Sequence, residues 1–375
     1  MERDLRIDLI RGYAMITICI NHITWLLNKT YVTGFKIPSI THYGYSSAAE
    51  IFFFMSGCMV GLVYLNKDNS SQKLLNRAFH LFKTNIFLFI SLVLVGLLLS
   101  SYTLSHITYL DYFYNNPTSS FINFIMLSYT PIFTDLLFIY TLLLLMSVPI
   151  AFVLEKSTKS FLVIIISIYI FSQFFPNFKL HNGAADSGLW SFNVLAYQFL
   201  FMIGILFGSK KLIYKLFNAI EKNTLTLCLP FSLFLFALVI KRYDILGFND
   251  TWLIHKGNLG PLRIVHFFVV LSCLISGIHL LKKFKKSSTF LGIALIGRQS
   301  LSAFITSVLC AYVSLGFWLM SSQSPYLYLF LVLTSLTVML IFSGIIDYKK
   351  KYNLSWFGFL PFKKKKSMIC KLDQL

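Results

Sequence analysis

The sequence predicts an all-α, polytopic membrane protein, and three observations carry that prediction. Of its residues, 57% are hydrophobic and only 13% are charged, with a mean hydropathy of +0.72, a balance foreign to soluble chains. Long apolar runs recur from end to end at lengths that suit spanning helices, whereas a β-barrel would show alternating segments. The formal charge of +19 gathers in short links and in the tail, where cytoplasmic segments carry lysine and arginine. That distribution reads as topology and leaves no basic soluble domain to dock nucleic acid. No cleavable leader is expected, because the first run is preceded by acidic as well as basic residues and lacks a small-residue cleavage pattern.

About ten spanning helices are predicted, with both termini cytoplasmic. The first covers 9–28 and the second 46–65. The link 66–83 carries Lys67, Lys73, Arg77 and Lys83 and is placed inside. The third helix is 84–102. Residues 105–130 hold no lysine or arginine and form an outer loop with a short interfacial helix near 121–127. The fourth helix, 132–154, returns to Lys156 and Lys159. The fifth is 160–175, and an outer loop runs from Asn177 to Trp190. The sixth, 192–208, closes at Gly208 and the inner pair Lys210 and Lys211. The seventh is 224–241. Its outer loop, 242–260, carries Lys256, more positive charge than the topology rule favours. The eighth helix, 262–281, ends at the inner lysines 282, 283, 285 and 286. The ninth begins with an apolar piece at 290–296, breaks at 297–300 and spans to Met320. The tenth is 326–346. One membrane-embedded domain covers 1–375, with a basic tail over 347–375 that includes lysines 363–366.

Six cysteines are present, Cys19, Cys58, Cys228, Cys273, Cys310 and Cys370. Five fall in apolar segments without CxxC or metal spacing, so they are expected as small buried residues, with no disulfide framework and no metal.

Charged and polar groups inside apolar helices are costly and usually face a cavity or a partner. Arg11 and His22 share the first helix. Eleven residues advance roughly 1100°, close to three turns, and about 16 Å along the axis, so the two lie on one face at different depths. With the predicted topology, Arg11, Arg77 and Arg298 fall near the inner face. His22, Glu50, Asp135, Arg263 and His266 fall toward the outer face, and Arg263 and His266 share a helix side. Each has a plainer reading. Glu50 and Asp135 suit helix N-termini, Arg263 suits an interfacial anchor, and Arg77 and Arg298 suit positive-inside residues. Jointly they describe an electropositive inner mouth fit for a phosphorylated cytosolic ligand such as a coenzyme A thioester. They also describe a histidine with a nearby carboxylate fit to act as a general base on a hydroxyl. No P-loop, HExxH or GxSxG motif is present.

Arg11, ten intervening residues and His22 resemble the R-x10-H signature of the acyltransferase-3 superfamily of membrane O-acyltransferases. The chain is similar more specifically to its OpgC branch. The resemblance rests on residues 3–12, on 47–57 (Ser47-Ala48-Ala49-Glu50 through Ser56-Gly57), on Thr134-Asp135 through Tyr140, on 192–198, on 259–267 and on 297–301, in family order. One departure is Tyr197, where the branch pattern has tryptophan before the glutamine.

The resemblance implies His22 as the catalytic histidine and Arg11 as its essential partner, with Glu50, Asp135, Asn193, Gln198, Arg263, His266 and Arg298 at motif positions. In the expected reaction Arg11 and Arg298, and Arg77 more weakly, hold the donor's phosphates. His22, oriented by Glu50 or Asp135, deprotonates an acceptor hydroxyl. Asn193, Gln198, Arg263 and His266 contact acceptor or acyl group, and Lys256 and Arg263 suit the carboxylate of a succinyl group. The implied donor is succinyl-CoA or acetyl-CoA, with no permanently bound cofactor. The implied acceptor is a periplasmic glucan in the bacterial inner membrane, with glucan-synthesis proteins as further partners beside the lipid bilayer. Two other readings stay open: O-acetylation of lipopolysaccharide or another envelope polysaccharide, and a transporter that moves substrate without cleaving a thioester.

Overall fold

The computed structural model describes residues 4–30, 36–39, 43–65, 69–99, 101–185, 188–248, 251–284 and 286–352. Lys67, Lys285, Cys370 and lysines 363–366 lie outside them. The chain is 80% helical. Its helices are α1 Leu5–Thr30, α2 Ala48–Val63, α3 Ser70–Leu99, α4 Tyr102–Thr108, α5 Leu110–Asn115, α6 Pro117–Ile125, α7 Asp135–Lys156 and α8 Thr158–Phe174. They continue as α9 Val194–Ser209, α10 Leu212–Glu221, α11 Thr224–Tyr243, α12 Pro261–Leu280, α13 Ser288–Arg298, α14 Ser300–Leu319 and α15 Pro325–Tyr352. This is a polytopic all-α membrane protein. Among the described residues six helices (α3, α7, α11, α12, α14 and α15) are long and apolar enough to cross a membrane, and α2, α8, α9 and α13 are shorter apolar helices. With α1, which has 26 residues, every predicted span has a helix on it. The ninth is the pair α13–α14, which breaks at Gln299 as the Gly297-Arg298-Gln299-Ser300 interruption predicts.

Three expectations change. The link 66–83 is mostly the first half of α3, because Leu74, Ala78, Leu81 and Asn85 are buried at helical spacing and hold the basic stretch helical. The outer loop 105–130 contains α4, α5 and α6 rather than one interfacial helix. After Lys211 the chain forms α10, whose buried residues Ile213, Phe217 and Ile220 recur on one side. Of the five cysteines described, Cys19, Cys58 and Cys273 are buried, while Cys228 is exposed on α11, a helix that buries little of its length.

Small residues let the helices meet at backbone distance. Gly57 and Gly61 of α2 face the Phe201 and Ile205 carbonyls of α9, and Gly204 and Gly208 of α9 face the Phe54 and Cys58 carbonyls of α2. Both helices thus present a Gly-x-x-x-Gly face to the other. A Cβ at any of these positions would collide with backbone. A second close seam joins α1 to α13: Gly12 lies against the Ile293 carbonyl and Gly297 against the Asp8 carbonyl.

Contacts sort the polar residues into two ends. At one end, Arg6 meets Glu221 at 3.0 Å and His279 meets Glu221 at 3.3 Å. Arg298 meets Asp347 there at 3.1 Å. At the other, Thr24 and Tyr328 share a hydrogen bond of 2.8 Å, and the Trp318 indole donates to Thr30 at 3.1 Å. Of these residues, Arg298 is one that the predicted topology assigns to the inner face.

Candidate active site

At the loop end the helices part around a cavity of about 920 Å³. Of the residues predicted to act, His22 and Asp135 line it, together with Phe133, Ser191, Lys179, His255 and Lys256. His22 reaches the wall from the last third of α1. Its ring stacks on Phe133 at 3.8 Å between centroids, with 13° between planes, and meets the edge of Phe304 at 5.9 Å. Its Nδ1 is buried and has no hydrogen-bond partner among the described residues. The imidazole is therefore held by packing while a ring nitrogen stays uncommitted.

Phe133 holds its stacking position in a left-handed backbone conformation, with φ 71°. A bulky residue there carries strain of about 1–3 kcal/mol. The turn around it supplies the constraint. Tyr312 donates to the Ile132 carbonyl at 3.0 Å, and the Thr134 amide and hydroxyl both donate to the Pro131 carbonyl, at 3.1 Å and 2.8 Å. Asp135 follows as the first residue of α7, buried at 6% exposure, with Ser191 hydrogen-bonded to its carboxylate.

Glu50 is placed otherwise than as the direct partner of His22. Its carboxylate is fully buried. One oxygen accepts from Arg263 Nε at 2.8 Å and Nη2 at 2.5 Å. The other accepts from the Ser47 amide at 2.8 Å and from the Ser47 hydroxyl. Helix α2 is thereby capped at its start, and Arg263 is committed to Glu50 instead of standing free for a carboxylate ligand. His266, one turn along, accepts the Ser46 amide at 3.2 Å through Nδ1, which also shares a hydrogen bond with the Ser46 hydroxyl at 2.8 Å. The shared face of Arg263 and His266 therefore clamps the start of α2.

Asn193 and Gln198 also leave the cavity wall to other residues. Asn193 caps α9, accepting from the Leu195 amide at 3.0 Å. Gln198 donates to the Ile165 carbonyl of α8 at 2.8 Å. Their neighbours bind the loop 255–260. The Asn193 amide donates to the Gly257 carbonyl at 2.8 Å, and the Tyr197 hydroxyl to the Lys256 carbonyl at 2.9 Å. Gln173 donates to the Asn258 carbonyl and the Tyr169 hydroxyl to the Leu259 carbonyl, each at 2.8 Å. Tyr197, the departure from the branch pattern, thus uses its hydroxyl to hold the backbone of Lys256.

Lys256 keeps solvent contact through the open cavity although protein surrounds it. Burial holds its ammonium below the ordinary lysine range, and the charge of Glu50 pulls it partly back. Burial lowers Lys179 as well. His255 is lowered by burial, and further by Lys179 and Arg263. The sequence reading reached Lys256 through the topology rule. It passed over Lys179, which the same rule flags in the preceding outer loop, and His255.

The inner arginines gather at the other end. Arg11 donates to the Ser300 hydroxyl at 2.5 Å, at the break between α13 and α14. On the far side of that break, Arg298 donates to Asp347 at 3.1 Å, Gln299 donates to Asp347 at 2.9 Å, and Lys350 donates to Gln299 at 2.6 Å. Arg77 sits half-buried on α3, close enough to His80, as is Lys350, for their charges to act on that ring. The structure therefore separates an arginine-rich end from the His22 cavity by the length of α1 between residues 11 and 22, about 16 Å.

The chain matches the OpgC protein family over residues 3–351. No curated protein and no solved structure matches it. The chain belongs to the OpgC family, and it is a membrane acyltransferase of that type.

Proposed function

We propose that this OpgC family member transfers a succinyl group from a cytosolic acyl-CoA to hydroxyls of a periplasmic glucan, within a bacterial inner membrane. The observation that carries the reading is His22, whose ring stacks on Phe133 and lines the loop-end cavity that Asp135 also lines. Such a ring is suited to take a proton from a hydroxyl. In the proposed reaction His22 removes the proton as the sugar oxygen attacks the thioester carbonyl. The tetrahedral intermediate then expels the CoA sulfur, the C–S bond breaks, an ester forms, and the proton leaves with the thiol. Asp135 stabilises the imidazolium that exists between the two proton transfers.

Arg11 and Arg298 hold the donor's phosphates at the inner end, with Arg77 adding charge. The donor's acyl arm then has to travel along α1 from Arg11 to His22. The close α1–α13 seam at Gly12 and Gly297 lies at the Arg11 end of that route. The separation of phosphate recognition from chemistry is what lets donor and acceptor arrive from opposite faces.

The test is CoA release by the purified protein in detergent, with a neutral glucan as acceptor. His22→Ala should lower turnover by about 10²–10⁴-fold while the protein still inserts and purifies normally. Near-normal turnover in His22→Ala would overturn the base assignment. Mass spectrometry of envelope glycans with and without the protein names the acyl group: the succinyl increment supports the reading, an acetyl increment replaces the donor, and glycan movement without CoA release replaces enzyme with transporter.

A further inference from the structure

The cavity carries a set of nitrogen donors that the proposed proton transfer does not use. Lys179 Nζ lies against the backbone of Gly257. A Cβ added to Gly257 would stand 2.9 Å from that ammonium and 3.1 Å from His255 Cε1. Lys179, His255 and, between His255 and Gly257 in the chain, Lys256 are therefore bunched on one stretch of the wall. All three line the same cavity as His22 and Asp135.

Their donors are uncommitted. Among the described residues no ion pair holds Lys179, His255 or Lys256. The Asn258 amide donates to His255 Nδ1 at 3.2 Å, so the neutral ring carries its proton on Nε2, as a donor. The Lys256 ammonium lies 5.5 Å from the centroid of Phe192, a contact that orients it without neutralising it. Lys179 is half-buried and Lys256 keeps solvent contact through the cavity, so both ammonium groups are open to a ligand that enters it. The segment that carries His255 and Lys256 is anchored: Tyr197, Asn193, Gln173 and Tyr169 all bond the backbone of loop 255–260. Such anchoring preorganises a site and lowers the ordering cost of binding. Lys29 and Lys36 line the same cavity, outside this cluster; Arg263 is occupied by Glu50 and does not join the set.

We propose that Lys179, His255 and Lys256 form an anion subsite within the His22 cavity that takes a carboxylate or phosphate borne by one of the two substrates. The inference rests on the acyl-transfer reading for what those substrates are, but not for the binding of the anion itself. Two sources share this chemistry: the terminal carboxylate of a dicarboxylic acyl group, and an acidic substituent on the acceptor sugar.

The test uses the full-length protein in detergent and has two arms. In the first, succinate and inorganic phosphate are titrated while the melting temperature is followed. The wild type should be stabilised, and Lys179→Gln and Lys256→Gln should each weaken the apparent affinity by about 10-fold or more, the loss expected for a charge-assisted hydrogen bond. Lys256→Arg, which retains the charge, should recover most of it and rules out misfolding as the cause. Absence of stabilisation in the wild type, or equal affinity in the glutamine variants, overturns the subsite.

The second arm compares kcat/KM ratios. A fall of about 10-fold or more in the succinyl-CoA to butyryl-CoA ratio, in Lys256→Gln with a neutral glucan, places the anion on the acyl group. A like fall in the ratio of acidic to neutral acceptor places it on the sugar. Both ratios unchanged would remove any role in substrate recognition. If the wild type transfers no acyl group at all, the transfer reading fails while the titration still decides the subsite.

Discussion

Arg263→Met should destabilise the protein strongly through Glu50 rather than through a lost ligand contact. Glu50 has 0% exposure and Arg263 7%, and both guanidinium bonds, 2.8 Å and 2.5 Å, end on one carboxylate oxygen. Removing the arginine leaves a buried carboxylate with only the Ser47 amide and hydroxyl as donors. Breaking a buried pair from one side costs about 3–5 kcal/mol, or two to nearly four orders of magnitude in the folding equilibrium. Because Ser47 continues to serve the other oxygen, the lower end is expected. Replacing both partners, Glu50→Gln with Arg263→Met, should recover much of the loss, since no charge is then stranded. The assay is denaturant unfolding in mixed micelles for the wild type, both single variants and the double variant, with the succinyl-CoA to butyryl-CoA ratio measured on each. The reasoning is refuted if Arg263→Met is as stable as the wild type. It is also refuted if that variant keeps its stability and loses only its preference for succinyl-CoA, because Arg263 would then be a ligand contact.

Phe133→Ala should lower turnover on His22 by removing the ring that stacks on it, with relief of backbone strain limited because alanine still disfavours φ 71°; steady-state kinetics beside unfolding midpoints separate the two effects. Gly204→Leu should abolish stable insertion, since a side chain there meets the Phe54 carbonyl of α2, and the yield of monodisperse protein on size-exclusion chromatography checks it. Tyr197→Phe should retain the fold and lose the bond to the Lys256 carbonyl, at about 0.5–1.5 kcal/mol; the expected signature is weaker succinate binding, with Tyr197→Trp no better than Phe. Anion binding should also weaken with alkaline pH earlier than for free lysines. Burial holds Lys179 and Lys256 below the ordinary 10.5, with Glu50 raising, Arg263 lowering and Asp135 raising Lys256 in turn. As pH rises through that lowered range, the unfolded chain holds protons that the native state has released, so the unliganded fold gains stability. A bound anion restores the protons, so its stabilising effect should shrink as pH approaches 10.5 from below; melting temperatures with and without succinate along that range test the sign.

The spans were legible because burial in lipid demands long apolar runs, and the charge bias between loops then ordered them. The break before Ser300 was legible because Gly297-Arg298-Gln299-Ser300 interrupts an apolar run. Helix α10 was readable and missed: the spacing of Ile213, Phe217 and Ile220 is helical, but Lys210 and Lys211 invite a loop. The Gly57/Gly61 and Gly204/Gly208 pairs were likewise available as a small-residue packing signal. The Glu50–Arg263 pair was not available. Its partners are 213 residues apart, and only the fold decides whether an outer-face carboxylate meets an arginine, a histidine or water. For the same reason Asn193 and Gln198 looked like ligand contacts: a polar side chain inside an apolar helix must bond something, and sequence does not say whether that is substrate or backbone.

That ambiguity also reorders the motifs themselves. The block around Glu50, the block around Arg263 and His266, and the block around Asn193 and Tyr197 bond to other parts of the protein, while Ser47, Ala48, Ala49 and Phe192 from them line the cavity. The first two clamp the start of α2, and Arg263 reaches on to the Ile254 carbonyl at 3.4 Å. The third holds the same loop from its other side, at Lys256 and Gly257. Their common consequence is a short, rigid segment that delivers a cation to the wall shared with His22. A general base needs its reactants held within a few tenths of an ångström of productive geometry, and a membrane helix bundle supplies that most readily through buried polar struts that cannot be satisfied elsewhere. In the proposed reaction, the helix that carries Arg11 and His22 sets the distance between donor recognition and chemistry, and the struts set what stands opposite the base.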